Sequence, residues 1–415
     1  VSTTSILDRD RVRELFDLRG SYGAAHGGGY EGDPYPVWHR LREQGPVHAG
    51  VVHELTGYEG PALFQGLPHP DRPHFSAFSY AACDTAYRNG EVFASSIEPV
   101  DPNNGELSVS NSLLTMGGLQ HRRSRALVQP SFIPGKAQWW IRNWIEETVD
   151  QLIDGFADAG RAELNVDFCA AIPVLTITGS FGVSVEQALE IRAALSRPDD
   201  IVEILRPIVA ARREKPEDDL ISVLAQAELK GEDGKTTRLT DAEIYSFSVL
   251  LLTAGSGTTW KQMGIVLTAL LQRPEVLDAV REDRELLRPA IEEALRWMPT
   301  DPMFSRYVTQ DVDFHGVHMP AGSVLHLCVA AANRDPDRWR DPDEFDITRP
   351  LTPTFAFGGG VHVCLGMHVA RAEMRVGINR LLDRLPNLRL DPEGETPRFI
   401  GMYERGATEI PVLFG

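Results

Sequence analysis

The sequence predicts a mainly helical fold with small β-sheets, an α+β architecture built around one long buried helix. Three observations carry this expectation. From Gly135 onward apolar residues recur at threes and fours, as at Ile141, Ile145, Val149, Leu152 and Phe156. Residues 241–272 would run on the order of 45 Å as a helix. Their apolar side chains, among them Ile244, Phe247, Leu250, Leu252, Ile265 and Leu270, fall on nearly all faces, the pattern of a helix that crosses the interior. Strand-like alternation is sparse and confined mainly to residues 308–318, 323–327 and 408–414.

Each element has a local cause. Asp33, Pro34, Tyr35 and Pro36 open a short helix that Gly45 and Pro46 end, and three prolines between residues 68 and 78 favour loops and short strands. Ser248, Thr253, Ser256, Lys261 and Gln262 interrupt the apolar run of the long helix, so it is not a membrane span. No repeat, low-complexity run or linker divides the 415 residues, which read as a single domain, 1–415.

Composition narrows the function. A hydrophobic content of 42% suits a packed globular core, and a formal net charge of −18 opposes binding to nucleic acid or anionic membrane. Small neutral ligands remain the natural partners. The four cysteines, Cys83, Cys169, Cys328 and Cys364, lie far apart, which argues against a disulfide framework or a zinc site and for a reduced, cytoplasmic setting. Residues 1–13 carry charges and no apolar core, so no signal peptide or membrane anchor is expected. The chain opens on Val1 rather than Met and is expected to begin inside a longer one.

The most informative stretch is Phe357, Gly358, Gly359, Gly360, Val361, His362, Val363, Cys364, Leu365, Gly366. Three glycines let the backbone turn through left-handed conformations and approach a flat group closely. Residues 367–382 place Ala370, Met374 and Ile378 on one helical face, so Cys364 lies near a helix N-terminus, where N–H groups and the dipole favour a thiolate. Alone, such a cysteine reads as a buried, inert thiol in a turn. The whole arrangement, with Phe357, Gly360, Cys364 and Gly366 at its defining positions, resembles the haem-binding signature of the cytochrome P450 family. The resemblance spans nearly the whole chain, from Asp33 to Gly406. It implies a haem b whose iron takes Cys364 as axial ligand, a thiolate that pushes electron density onto the metal.

Further residues follow from that resemblance. Ala254, Gly255, Ser256, Gly257, Thr258 and Thr259 put two glycines inside the long helix, each about 1 kcal/mol less favourable than alanine. Close helix packing is one explanation. The resemblance implies another, a local opening of the helix with Thr258 organising dioxygen. The family places an acid one residue earlier, and here Gly257 stands in its place. Three routes are open for protons: Ser256, Thr258 and ordered water, which we favour; an acid from elsewhere; or leakage of reduced oxygen to peroxide. Glu293 and Arg296, alone a solvated i,i+3 pair, resemble the family's structural ion pair. Glu344 stands where many members carry arginine, leaving Arg340 or Arg349 as the third partner.

Haem propionates need cationic donors, and the resemblance implies His121, Arg125, Arg306 and His362. Glycines 117 and 118 replace the family's usual entry to the helix bearing His121. The pocket above the iron would be lined by Leu250, Thr253, Ala254, Pro302, Met303, Phe304 and Met402 or Tyr403, a mostly apolar set that suits a hydrophobic small molecule such as a terpenoid, steroid, fatty chain or aromatic. Residues 97–112 would add selectivity. Between Gly182 and Ser222 the chain is short for the family's two roof helices: either the roof is truncated or, the reading we favour, lid residues are missing at a break near residues 195–200. With no flavin or nicotinamide fingerprint, electrons would come from a ferredoxin and ferredoxin reductase, docking on Arg122, Arg123, Arg371 and Arg375. The implied activity is a monooxygenase using dioxygen. A peroxide-driven oxygenase and a non-catalytic haem-binding partner are the rivals.

Overall fold

The computed structural model describes residues 7–61, 71–96, 112–230 and 235–415. Its centre is the helix Asp241–Leu271. Thr240 starts it through a capping box, in which its side chain accepts from Glu243 N while the Glu243 carboxylate accepts from Thr240 N. Ile244, Leu252, Met263, Ile265, Val266 and Leu270 are fully buried on its different faces. It packs most extensively on the helix Ala171–Ser180, and a Cβ on Gly255 would come 2.6 Å from Ile177 Cδ1 there. Close packing therefore accounts for this first glycine of the interrupted stretch.

A five-stranded sheet flanks the helical body in the order Val47–Ala49, His74–Ala77, Val324–Leu327, Phe304–Val308, Phe93–Ala94. Val324–Leu327 runs parallel to His74–Ala77 and antiparallel to Phe304–Val308, with His326 opposite Ser305. The hairpin of Val312–Phe314 and Val317–Met319 and the tail strand Pro411–Leu413 complete the expected strand regions. No single helix among the described residues is long and apolar enough to cross a membrane.

In the roof, helices Val185–Ala193 and Pro198–Glu214 are joined through a turn in which Arg197 N donates to Ala194 O at 2.7 Å. Pro198 sits at the first helical position, where its missing N–H costs nothing, so the second helix starts at once. One expectation is corrected: Met402 and Tyr403 do not line an open pocket. The turn between Phe399–Ile400 and Gly406–Ala407 tucks under the N-terminal segment, with Gly401 N donating to Tyr30 O and Met402 N to Gly27 O. Gly27, at φ +81°, leaves room for Met402 where a Cβ would sit 2.7 Å away. Met303, Met402 and Tyr403 are thus fully buried in one apolar cluster with Tyr35, Trp38 and Val52.

Candidate active site

The cysteine loop is shaped by its neighbour Tyr87. Gly358 and Gly360 have φ of +69° and +67°. A Cβ on Gly360 would lie 2.3 Å from Tyr87 O, and one on Gly359 would lie 2.8 Å from the Tyr87 ring. Two of the glycines are therefore required by a tyrosine on the helix Tyr80–Arg88. A Cβ on Gly366 would meet nothing within 4 Å. Cys364 N donates to Phe357 O at 2.9 Å, closing the loop, and the helix Met367–Arg384 starts immediately after Gly366.

Cys364 keeps accessible surface in a deeply set position, unlike the buried Cys83, Cys169 and Cys328. Burial pushes its thiol above the ordinary value, against the Gly366 N–H, Arg125 and Arg371, which pull it down, and Asp301 adds to the rise. A bound metal would hold this sulfur in its anionic form. Around it stand donors without an anion. His121 Nε2 is buried with no hydrogen-bond partner, and its ring packs 4.1 Å from that of His362. Among the described residues Arg125 donates only to a carbonyl, Val363 O at 2.7 Å. Arg306, 9% exposed, donates to Ser305 O and lies over the Tyr87 ring. Burial, then His121, Arg306 and Arg125, drive the His362 imidazolium down to about 3. Among the described residues no carboxylate pairs with Arg125 or Arg306. Buried cationic groups left this way call for a bound dianion, and a haem with its two propionates fits.

The support beneath the loop is built on one buried ion pair. Arg296 Nε and Nη2 reach Glu293 at 2.8 and 2.7 Å, both side chains under 5% exposed. The remaining Arg296 donors satisfy the carbonyls of Asn333, Pro342 and Glu344. Arg349, one of the two candidates for third partner, reaches Glu293 at 3.2 Å, while Arg340 points to Asp341. Asn333 Oδ1 then accepts from Phe355 N at 2.8 Å, tying this cluster to the start of the cysteine loop. Arg371 lies over the Phe357 ring and is held by both oxygens of Glu292.

In its middle the central helix is bare where a core helix should be buried. Thr253 and Ala254 are exposed and Leu250 and Thr258 half-exposed in the middle of a core helix. The helix shows no break here, and Thr258 Oγ1 donates to Ala254 O at 2.8 Å, so the implied local opening is absent. Ser256 is buried, donates to Leu252 O and accepts from Arg192 Nη1 at 3.1 Å. It is engaged with the roof helix Val185–Ala193 rather than with the side that carries Thr258. The nearest atom to a Cβ at Gly257 is again Arg192 Nη1, at 4.0 Å. Pro302 is buried and Phe304 half-buried beside the stretch. The selectivity loop of residues 97–112 lies outside the described residues, apart from Ser112.

Sequence reasoning missed one cluster. Lys261, 3% exposed, is ion-paired with Glu404, and burial followed by Glu404 pushes the Asp301 carboxyl up to about 7. The available signal was a lysine inside an apolar helix, which needs a carboxylate somewhere.

The comparisons accord with this geometry. Residues 190–400 match the family model for cytochrome P450. The monooxygenase PikC of Streptomyces venezuelae is 30% identical over 411 residues, covering 94% of this chain and 92% of that protein. The steroid C26-monooxygenase of Mycolicibacterium smegmatis is 31% identical over 364 residues, 82% of this chain and 87% of its own. Among solved structures, P450BioI in complex with an acyl carrier protein bearing hexadec-9Z-enoic acid superposes with a TM-score of 0.76 at 28% identity, covering 92% of this chain and 98% of that one. The chain therefore belongs to the cytochrome P450 family, the haem-thiolate monooxygenases.

Proposed function

We propose that this P450 inserts one atom of dioxygen into an apolar small molecule, with electrons from a separate ferredoxin and its reductase, and that its 415 residues act as one cytoplasmic domain. Cys364 holds the iron, and His121, Arg125, Arg306 and His362 take the propionates. When bound, the haem supplies reductive activation of dioxygen. The observation that carries the reading is the meeting of an accessible, deeply set cysteine with buried donors that lack a counter-anion.

The chain's own residues do the rest. Thr258 spends its hydroxyl proton on Ala254 O, leaving its oxygen free to accept from a water or from protonated oxygen. Leu250, Ala254 and Phe304 offer apolar surface, so shape and exclusion of water hold the substrate there. Relatives named for steroid oxidation and for a carrier-bound fatty acid support an apolar substrate class. Four unpaired thiols suit a reducing compartment.

Electron delivery rests on fewer cations than the sequence suggests. Arg123 is paired with Glu243 and Arg371 with Glu292, which leaves Arg122 and Arg375 exposed. Leu119, 77% exposed, and Val361, 67% exposed, add apolar contact on the helix bearing His121 and on the cysteine loop. A ferredoxin docking here would combine two charge contacts with an apolar centre.

Titration of haem into the protein and into Cys364→Ala tests the reading. Stoichiometric uptake with sulfur-ligated iron by electron paramagnetic resonance is expected in the first and its loss in the second. An unaltered resonance in Cys364→Ala would remove the assignment. Gly257, which offers no acid, favours a second reading, the peroxide-driven oxygenase; turnover with hydrogen peroxide as fast as with ferredoxin would establish it.

A further inference from the structure

We infer that Tyr87 is a positioning residue for haem binding: its ring holds the Arg306 guanidinium where a propionate meets it. Because the same side chain is wedged along the glycines of the cysteine loop, the arginine is kept in register with the loop that bears Cys364. The inference rests on the assignment of Arg306 to a propionate.

The backbone brings the two residues together. Tyr87 lies at the end of the helix Tyr80–Arg88, and the strand that follows, Phe93–Ala94, pairs antiparallel with Phe304–Val308, Phe93 opposite Val308 and Ala94 opposite Tyr307. Thr309 N donates to Val92 O at 2.9 Å and extends that pairing. The strand carrying Arg306 is thus tied to the chain just past Tyr87. Arg306 and Val308 stand two apart and share one face of their strand. Val308 is fully buried in one apolar cluster with Ala82, Cys83, Ala86 and Tyr87, so that face is the one the helix covers. There Arg306 Cζ lies 4.9 Å from the centre of the Tyr87 ring.

The other neighbours of Tyr87 belong to the loop. A Cβ on Gly358 would lie 3.8 Å from the Tyr87 hydroxyl, one on Gly359 2.8 Å from its ring, and one on Gly360 2.3 Å from its carbonyl oxygen. The residue therefore runs along three successive glycines. The Phe355 ring packs on it at 5.2 Å, and Phe355 N is itself fixed by Asn333 Oδ1. Tyr87 touches Arg306 on one hand and an anchored loop on the other.

Arg306 needs such a support. It is buried, and among the described residues its one hydrogen bond goes to the adjacent carbonyl, Ser305 O at 2.8 Å. A guanidinium that wanders loses rotamer freedom when it meets a carboxylate; one already stacked on a ring loses less. The ring face also attracts the cation, most strongly where water is excluded. The Tyr87 hydroxyl is buried with no partner among the described residues. The ring, not the polar end, is the part that serves this site.

The test follows haem transfer from the full-length haem protein to apomyoglobin. Tyr87→Leu should release haem about tenfold faster than wild type. Tyr87→Phe keeps the ring and drops an unpaired hydroxyl, so its rate should stay within about twofold. In an Arg306→Ala background, Tyr87→Leu should add less than about twofold, because the two residues act as one. Losses that multiply would mark Tyr87 as a structural residue alone and overturn the inference, as would Tyr87→Phe releasing haem as fast as Tyr87→Leu. Should Tyr87→Leu not fold, Arg306→Lys carries the same test, since it keeps the charge and loses the planar stack. Release about fivefold faster or more supports the inference, and release at the wild-type rate overturns it. Transfer left unchanged by Arg306→Ala alone would instead strike the propionate assignment, and the inference with it.

Discussion

The two sides of the proposed haem site follow opposite rules. On the cysteine side the supporting ion pair is fully engaged: Arg296 alone contacts Glu293 and three carbonyls, and Asn333 Oδ1 carries the cluster into the loop. On the proposed oxygen side the central helix is bare at Thr253 and Ala254, and Gly257 presents no group. The difference teaches that the ligand loop is held rigidly by its own neighbours, whereas the reactive face is left open. Substitutions below should accordingly damage stability and haem retention on the first side and chemistry on the second.

The largest effect is expected at Glu293→Ala or Arg296→Ala. Removing one partner of a buried pair costs about 3–5 kcal/mol, so urea unfolding should shift strongly and purified protein should carry little haem. A shift under about 1 kcal/mol would mean that the pair behaves as a surface one. Next comes Arg306→Ala, which should speed haem transfer to apomyoglobin tenfold or more, since charged hydrogen bonds contribute about 1.5–3 kcal/mol. An unchanged transfer rate would remove Arg306 from the propionate set. Gly360→Ala combines a left-handed backbone with a contact on Tyr87 O and should cost about 1–3 kcal/mol, read as a lower melting temperature; Gly366→Ala, with open space around it, should cost less.

A pH effect lies on the sheet between the two sides. Burial, then His74 and His53, drives the His326 imidazolium from 6.5 to about 3, and its ring bonds to Ser305 and His74 instead. The unfolded chain binds the proton more tightly in that interval. The stability contributed by neutral His326 is therefore complete above about 6.5 and is lost as pH falls toward 3. The slope is at most about 1.4 kcal/mol per pH unit for one proton. His326→Asn should flatten the acid limb of a melting-temperature profile, and an identical limb would exclude His326 as its source. The smallest stability effect is expected at Gly257→Asp, where the new carboxylate has room and meets Arg192. Its melting temperature should change little while peroxide released per electron pair changes; unaltered release would show that position 257 is not a proton route.

Much of the cysteine side was legible in the sequence because its parts are local. Gly358 to Gly360, the Glu293–Arg296 spacing and the apolar run of the central helix each announce themselves within a few turns. What escaped depends on long-range contact. Lys261, Asp301 and Glu404 belong to three segments that only the folded chain joins. Met402 and Tyr403 were expected in the pocket because their burial depends on Gly27, a residue hundreds of positions away. A second partner of the glycines was hidden for the same reason: Tyr87 presses on Gly359 and Gly360. Burial around the thiol, which raises its pKa, is likewise invisible in the sequence.

The most direct test of the central claim is the carbon monoxide difference spectrum of the reduced haem protein. A strongly red-shifted Soret band, characteristic of a thiolate opposite carbon monoxide, is predicted for the wild type and should disappear in Cys364→His. A wild-type band at the position given by histidine ligation would contradict Cys364 as the iron ligand.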